Sequence, residues 1–241
     1  MTQLTVRIVI SDEEKVEGCC LVTGFHGVGL TGYITINHLV KSLHARPIGY
    51  VETEQQPALI SLADERISFP FEFFRHGDIV ILFPRFQPKR SEVREFTHEI
   101  VSWIVKNTFK EAILVGGLDN RFKQGNDVMR CVPTKASLER AKSLNVPLLE
   151  EALFVTGPLA LMLAYSEMKG FPAMAFLPYS ERGRPDPRAA ALAIKQINAL
   201  FNLNVDVFEL INDAKRIEDE VTKIIDGQKE KLGIDSQTMY T

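Results

Sequence analysis

Cysteine is scarce in this chain of 241 residues, and the three that occur are Cys19, Cys20 and Cys131. An odd number of cysteines without metal-ligand spacing is typical of a reducing cytosol, so we expect a cytoplasmic protein. Neighbouring residues of a strand point to opposite faces, so Cys19 and Cys20 are not expected to pair.

Positive charge is also in short supply, since the net charge at pH 7 is -3. Nucleic acid and anionic membranes gain little from an acidic partner, so we expect neither as a ligand. Long apolar runs are missing too. The longest, from Pro158 to Ala164, is far too short to span a bilayer, and no apolar run of signal-peptide length opens the chain.

The five histidines are scattered and show no metal-ligand signature, and no G-x-S-x-G motif marks a hydrolase nucleophile. We therefore expect no metal site. The histidines are His26, His38, His44, His76 and His98.

Short apolar strands alternate with helical segments along most of the chain. The pattern predicts an antiparallel hairpin over residues 67–83, a helix capped by Ser91 that runs to Asn107, and a last core helix from Pro187 to Phe201. Buried strands of four to six residues between helices indicate a mostly parallel sheet covered on both faces. We predict an α/β fold with a single three-layer α/β/α domain over residues 1–202, a C-terminal helical extension over 203–231 and a flexible tail over 232–241.

The helical extension carries a heptad stripe of apolar residues. Two interpretations fit it: a helix that lies on its own domain, and a helix that packs against another subunit or forms a projecting hairpin. The stripe consists of Leu203, Val207, Leu210, Ala214, Ile217, Val221 and Ile224.

A glycine-rich loop follows the first predicted buried strand and precedes a predicted helix. Gly27, Gly29 and Gly32 match G-x-G-x-x-G, and Glu52 ends the next predicted strand, which is the pattern of a dinucleotide site. Gly24 and His26 lengthen the loop before the first of these glycines. The alternative is a strand-to-helix turn in which the glycines permit positive φ and close packing. His26 could act as an acid, a base or a phosphate ligand, or simply cap the helix.

Two further loops could build an anion site together with the glycine loop, although both are also ordinary turns. The first follows the predicted strand 111–115 and includes Asp119. The second contains Arg182, Arg184 and Arg188. Ser11-Asp12 and Asp119 could complete a triad with His26, but no G-x-S-x-G motif supports it.

The chain ends in Met239-Tyr240-Thr241, after a polar stretch whose larger apolar residues are Leu232 and Ile234. Such a tail buries too little to fold alone, so we expect it to be mobile. An apolar side chain, a tyrosine ring and a carboxylate suit a pocket with an apolar wall and a basic residue.

These elements together resemble the archaeal branch of the proteasome assembly chaperone family. The resemblance spans about residues 15–200. It is carried by the loop from Leu21 to Gly32, the segment Ile113 to Gly117, the segment Val155 to Met162 and the strand ending at Pro178-Tyr179. The Met239-Tyr240-Thr241 tail adds a match to the hydrophobic-tyrosine-any motif of the family and of proteasome activators.

The resemblance implies a non-enzymatic homo-oligomer, without catalytic residues or a cofactor, that docks on proteasome core-particle α subunits. Met239 would fill an apolar rim, Tyr240 would pack its ring and hydrogen-bond through its hydroxyl, and the Thr241 carboxylate would meet a lysine. The alternatives are a nucleotide- or phosphate-binding enzyme or sensor that uses Gly27 to Gly32 with His26, and a tail that recruits a second small protein.

Overall fold

The computed structural model of the protein describes residues 6–55, 57, 60–63 and 65–215. The strands are β1 (Val6–Ile10), β2 (Cys20–Gly24), β3 (Arg46–Thr53), β4 (Ser61–Ala63), β5 (Arg66–Ser68), β6 (Phe71–His76), β7 (Ile79–Pro84), β8 (Glu111–Val115), β9 (Leu118–Asp119), β10 (Met129–Pro133) and β11 (Ala173–Ser180). The α-helices are α1 (Thr31–Ser42), α2 (Val93–Lys106), α3 (Leu138–Lys142), α4 (Gly157–Met168) and α5 (Pro187–Phe201).

One nine-stranded sheet organises the molecule, in the order β1-β3-β6-β7-β2-β8-β11-β10, with β9 paired to β11. The central strands β7, β2, β8 and β11 are parallel, and antiparallel strands extend both sides. Every residue of β2, β7, β8 and β11 is buried, as expected for strands covered on two faces.

Helices cover both faces of the sheet and close a separate apolar core on each side. On one face α2 contributes Phe96 and Ile100, and α4 contributes Met162. On the other face α1 contributes Ile36, and α5 contributes Ile194. The predicted single three-layer α/β domain is confirmed.

Two details of the helix assignments were wrong. Ser91 does not cap α2: Glu92 is the N-cap residue, and the Ser91 hydroxyl donates to the Gln55 side-chain oxygen at 2.9 Å. The heptad stripe was expected to be helical from Leu203, but residues 203–207 are not helical and the helix begins at 208.

The described part of the C-terminal helix lies on its own domain. Leu210 and Ala214 are buried in the same core as α1 and α5. Ile217, Val221 and Ile224, which complete the stripe, lie outside the described residues. In the described part of the chain, the helices are too short or too polar to cross a bilayer.

The β4–β5 ribbon, which joins β3 to β6, has one polar face and one apolar face. Ser61 and Ser68 share a side-chain hydrogen bond of 2.6 Å on the polar face. Leu62 pairs with Ile67 on the opposite face, and both are more than half exposed. The two-residue alternation of strands places Ile60 and Phe69 on that apolar face as well. We call these four side chains the ribbon face.

The nearly fully buried carboxylate of Glu72 in β6 holds two arginines. It accepts hydrogen bonds from Arg66 at 2.6 Å and from Arg85 at 2.8 Å. Each guanidinium also lies over an aromatic ring, Arg66 over Phe74 and Arg85 over Phe83. The single carboxylate of Glu72 therefore pairs with two cations that lie against apolar surface.

Glu72→Ala is expected to lower the free energy of unfolding by about 3 kcal/mol, because it leaves two partly buried cations without their counter-charge. Equilibrium urea unfolding measures the loss. The matched control is Glu52→Ala in β3, where the glutamate is exposed and the change should stay within about 0.5 kcal/mol. Equal stabilities of the two variants would contradict this assignment.

Candidate functional site

The glycine-rich loop is packed tightly against the end of the neighbouring strand. A Cβ atom on Gly24 would lie 2.8 Å from the Gly32 Cα and 2.9 Å from the Val115 carbonyl oxygen. A Cβ atom on Gly32 would lie 2.5 Å from that same oxygen. Gly24 and Gly32 are therefore required for the start of α1 to pack against the end of β8, whatever else the loop does.

Gly29 is also accounted for by packing within the fold. Its φ of 62° favours glycine, and a Cβ atom there would collide with the Ser180 hydroxyl. The Asp186 backbone N–H donates to the Gly29 carbonyl at 2.8 Å. Of the three glycines that match G-x-G-x-x-G, only Gly27 has open space at the position of a Cβ atom. These contacts account for Gly24, Gly29 and Gly32 without a phosphate ligand.

Glu52 does not take the position that a dinucleotide site requires. β3, which carries it, is separated from β2 by β6 and β7. At about 4.8 Å per strand, this separation is roughly 14 Å. In a dinucleotide fold, the strand with the ribose-binding acid lies next to the strand of the glycine loop. The spacing in sequence was right for the fingerprint, but the strand order does not assemble it.

His26 is half-buried and stacks on Tyr33, with 4.5 Å between ring centroids. Its Nδ1 is buried without a hydrogen-bond partner among the described residues, and burial lowers the pKa of the imidazole. Its backbone carbonyl accepts a hydrogen bond from the Gln87 side-chain amide. The lowered pKa favours the neutral ring at pH 7, and no carboxylate of the described residues pairs with its Nδ1 to orient it as a general base.

The structure does not bring His26, Ser11-Asp12 and Asp119 together as a catalytic triad. The carboxylate of Asp119 is held by Arg121, at 2.7 Å from the Arg121 Nη2, and the hydrogen bonds from Arg121 lower the pKa of Asp119 to about 2. The Ser11 N–H bonds to Ile48 at the amino end of β3, whereas His26 follows the carboxyl end of β2. Ser11 and Asp12 therefore lie at the opposite edge of the sheet from His26.

The two other loops do meet the glycine loop, around a cavity of about 410 Å³ at the carboxyl ends of β2, β8 and β11. The cavity lies at the switch point of the sheet. The chain leaves β2 through α1 on one face of the sheet, whereas it enters β11 from α4 on the other face. Open α/β sheets bind ligands in the crevice at such a point. We call it the switch-point cavity. Its lining includes Val115, Leu177, Phe154, His26, Asp119 and Arg182.

Of Arg182, Arg184 and Arg188, only Arg182 lines the switch-point cavity, and Arg188 lies in the first turn of α5. Asp186 in the same loop caps α5, accepting from the Ala189 N–H at 3.0 Å. Phe154 was not singled out from the sequence. In the sequence, Phe154 is a single aromatic residue in a predicted loop. Its ring is 82% exposed beside the cavity, which the local sequence pattern does not indicate.

The cysteines are buried and free, as expected, and burial raises the pKa of Cys20 and of Cys131 to about 12. The described residues contain no group of three or more His, Cys, Asp and Glu side chains placed to hold a metal ion. The predicted docking residues Met239, Tyr240 and Thr241 lie outside the described residues.

A model of the PAC2 family matches residues 21–225, so the chain belongs to that family. The crystal structure of Pyrococcus furiosus PbaA, described as an archaeal homolog of proteasome-assembly chaperone, is similar with a TM-score of 0.83 and 27% identity, over 98% of this chain and 99% of PbaA. The chain is therefore a PAC2 family homologue of the proteasome-assembly chaperones.

Two other relatives extend the comparison. Pyrococcus furiosus PbaB, described as an archaeal proteasome activator, has a TM-score of 0.76 at 18% identity, covering 91% of this chain and 98% of PbaB, which shows the shared fold. An uncharacterized protein of Methanocaldococcus jannaschii is 24% identical over 220 residues, which cover 91% of each chain. The resemblance read from the sequence motifs is confirmed.

Proposed function

We propose that the protein is a non-enzymatic assembly chaperone or adaptor that docks on the α subunits of the proteasome core particle through Met239, Tyr240 and Thr241. The observation that carries the proposal is the similarity to PbaA over nearly the whole of both chains. The family match supports a proteasome-related role, and the tail supplies the chemistry of docking.

The tail joins three kinds of contact within three residues. Met239 offers a flexible apolar side chain, and Tyr240 offers a ring with a hydroxyl. The Thr241 carboxylate offers an anion that a lysine can pair with at the rim of a pocket between α subunits. Together these contacts match the C-terminal capture mode of peptide recognition.

A homo-oligomer would make such a small anchor effective. Three residues bury little surface, and ordering a tether costs entropy, so one tail binds weakly. Several tails on one oligomer raise the apparent affinity through their effective concentration. The ribbon face supports contact between copies, because its exposed apolar side chains make a patch of the kind that marks interaction surfaces.

Two observations speak against a nucleotide site as a second candidate function. Packing within the fold accounts for Gly24, Gly29 and Gly32, and Glu52 lies three strands away from the strand that precedes the glycine loop. Recruitment of a second small protein by the same tail is kept as an outcome of the binding experiment.

The test is a pull-down of archaeal proteasome α rings and of assembled core particles. The baits are the full chain and a version without Met239-Tyr240-Thr241. We expect the full chain to capture α rings and the shortened chain to lose this capture, because the tail carries the contact. Equal capture by both would move the interface to the folded body. Capture of no proteasome component by either would contradict the proposed function and direct attention to another protein partner.

A further inference from the structure

The switch-point cavity combines a deep apolar part with a mouth that carries a ring and a cation. Val115 and Leu177, which line it, are almost fully buried, whereas Phe154 is 82% exposed. Within the described residues the Phe154 ring stacks on no other aromatic ring. An exposed aromatic ring beside an apolar cavity gains from covering by a second flat apolar group.

The charges at the cavity leave one cation weakly held. Asp119 is matched by Arg121, whose Nε donates to Oδ1 at 3.1 Å and whose Nη2 donates to Oδ2 at 2.7 Å. Arg182 approaches the same carboxylate only at 3.9 Å, and its side chain is 72% exposed. The Arg182 guanidinium therefore keeps donors for a further anion, and a guanidinium suits the planar oxygen pair of a carboxylate.

Two neutral side chains at the cavity can orient a ligand by hydrogen bonding. His26 is uncharged at pH 7 and has a buried Nδ1 without a partner among the described residues. Thr156, which also lines the cavity, precedes α4 and makes no side-chain capping bond to it. Both can serve a polar substituent without adding charge. A volume of about 410 Å³ is within the range of small-molecule sites.

The geometry points to the switch-point cavity as a binding site for a small aromatic carboxylate, with its ring against Phe154 and its carboxylate at Arg182. This site goes beyond the docking role, because neither the Met239-Tyr240-Thr241 tail nor the proteasome takes part in it. The same chemistry occurs in free aromatic acids and at the end of a peptide that terminates in an aromatic residue.

Isothermal titration of the full chain tests the site. The probes are 4-hydroxyphenylacetate for the free acid and N-acetyltyrosine for the peptide end, and N-acetyltyrosinamide is the control without the carboxylate. We expect saturable binding of at least one acid and at least about 10-fold weaker binding of the amide, which lacks the charge that Arg182 pairs with. Tighter binding of 4-hydroxyphenylacetate identifies a free acid as the source, tighter binding of N-acetyltyrosine identifies a peptide end, and either supports the site.

Matched variants locate the binding. Arg182→Gln and Phe154→Ala are each expected to weaken it at least about 10-fold, and both positions are exposed enough for the fold to tolerate the change. Arg184→Gln in the same turn and Phe208→Ala, which removes an exposed ring outside the cavity, should bind as the unmodified chain does. The proposal is overturned if neither acid binds saturably at millimolar concentration, or if Arg182→Gln and Phe154→Ala leave the affinity unchanged.

Discussion

Tyr240→Ala is expected to lower the apparent affinity of the proposed homo-oligomer for proteasome α rings by more than about 100-fold. A buried interface tyrosine contributes about 2 kcal/mol, which is roughly 30-fold for a single tail. When two or more tails engage one ring, the losses multiply, because each tail contributes to the apparent affinity. Biolayer interferometry on immobilised α rings measures the change.

Two tail variants and a stability measurement control this prediction. Tyr240→Phe removes only the hydroxyl, so the loss per tail should stay at about 10-fold or less. Gln237→Ala changes a polar tail residue outside the docking motif and should bind normally. The melting temperature should be the same in all these variants. A drop in stability for Tyr240→Ala would make Tyr240 a core residue, and an equal loss for a monomeric form and the oligomer would contradict the avidity argument.

Gly32→Ala is expected to lower the free energy of unfolding by about 3 kcal/mol or more. Gly32 is the second residue of α1, where alanine would ordinarily be favoured over glycine by about 1 kcal/mol. The new Cβ atom would lie 2.5 Å from the Val115 oxygen and 2.6 Å from the Phe25 oxygen. Both are backbone atoms of packed segments and cannot turn aside as a side chain could, so overpacking decides the sign.

Gly27→Ala is the matched control for this substitution in the same loop. Gly27 has an extended backbone and open space around the position of a Cβ atom. Its free energy of unfolding, measured in urea, should therefore stay within about 0.5 kcal/mol of that of the unmodified protein. A Gly32→Ala variant more stable than the unmodified chain would show that α1 has room at β8, and the packing explanation of the loop would be wrong.

Local signals predicted the centre of the fold well. α5 begins at Pro187 and ends at Phe201 as expected, because Asp186 caps its first turn and Asn202 adopts a left-handed conformation after its last. β8 was predicted over the same residues that form it, since a short apolar run before Gly116-Gly117 indicates a strand covered on both faces. These elements carry their own start and stop signals.

The peripheral strands had no comparable signals and were not predicted. β10 contains Arg130 and ends in Pro133, and it is a strand because β11 provides a pairing edge. β1 likewise pairs only with β3 at the outer edge of the sheet. Strand formation at these positions depends on a partner that lies far away in the chain, so local composition is a poor guide to it.

The candidate site shows the same division between local and distant information. The glycines and His26 were visible in the sequence as one loop, but Gly24, Gly29 and Gly32 pack against Val115 and Ser180, which neighbour them only in the folded sheet. Glu52 does not lie beside the glycine loop, because β6 and β7 lie between β3 and β2 in the sheet. A motif states which residues occur at which spacing, whereas strand order decides which of them meet.

The sequence by itself determined the α/β class and the family, because apolar periodicity, capping residues and motif order are local properties of the chain. The docking role of Met239-Tyr240-Thr241 stays a prediction. Only the tertiary structure decided that Gly24, Gly29 and Gly32 are packed against neighbouring segments and that Phe154 and Arg182 border one cavity. The physical reason is that a sheet brings together the ends of strands from distant parts of the chain, and the contacts made there depend on strand order rather than on sequence separation.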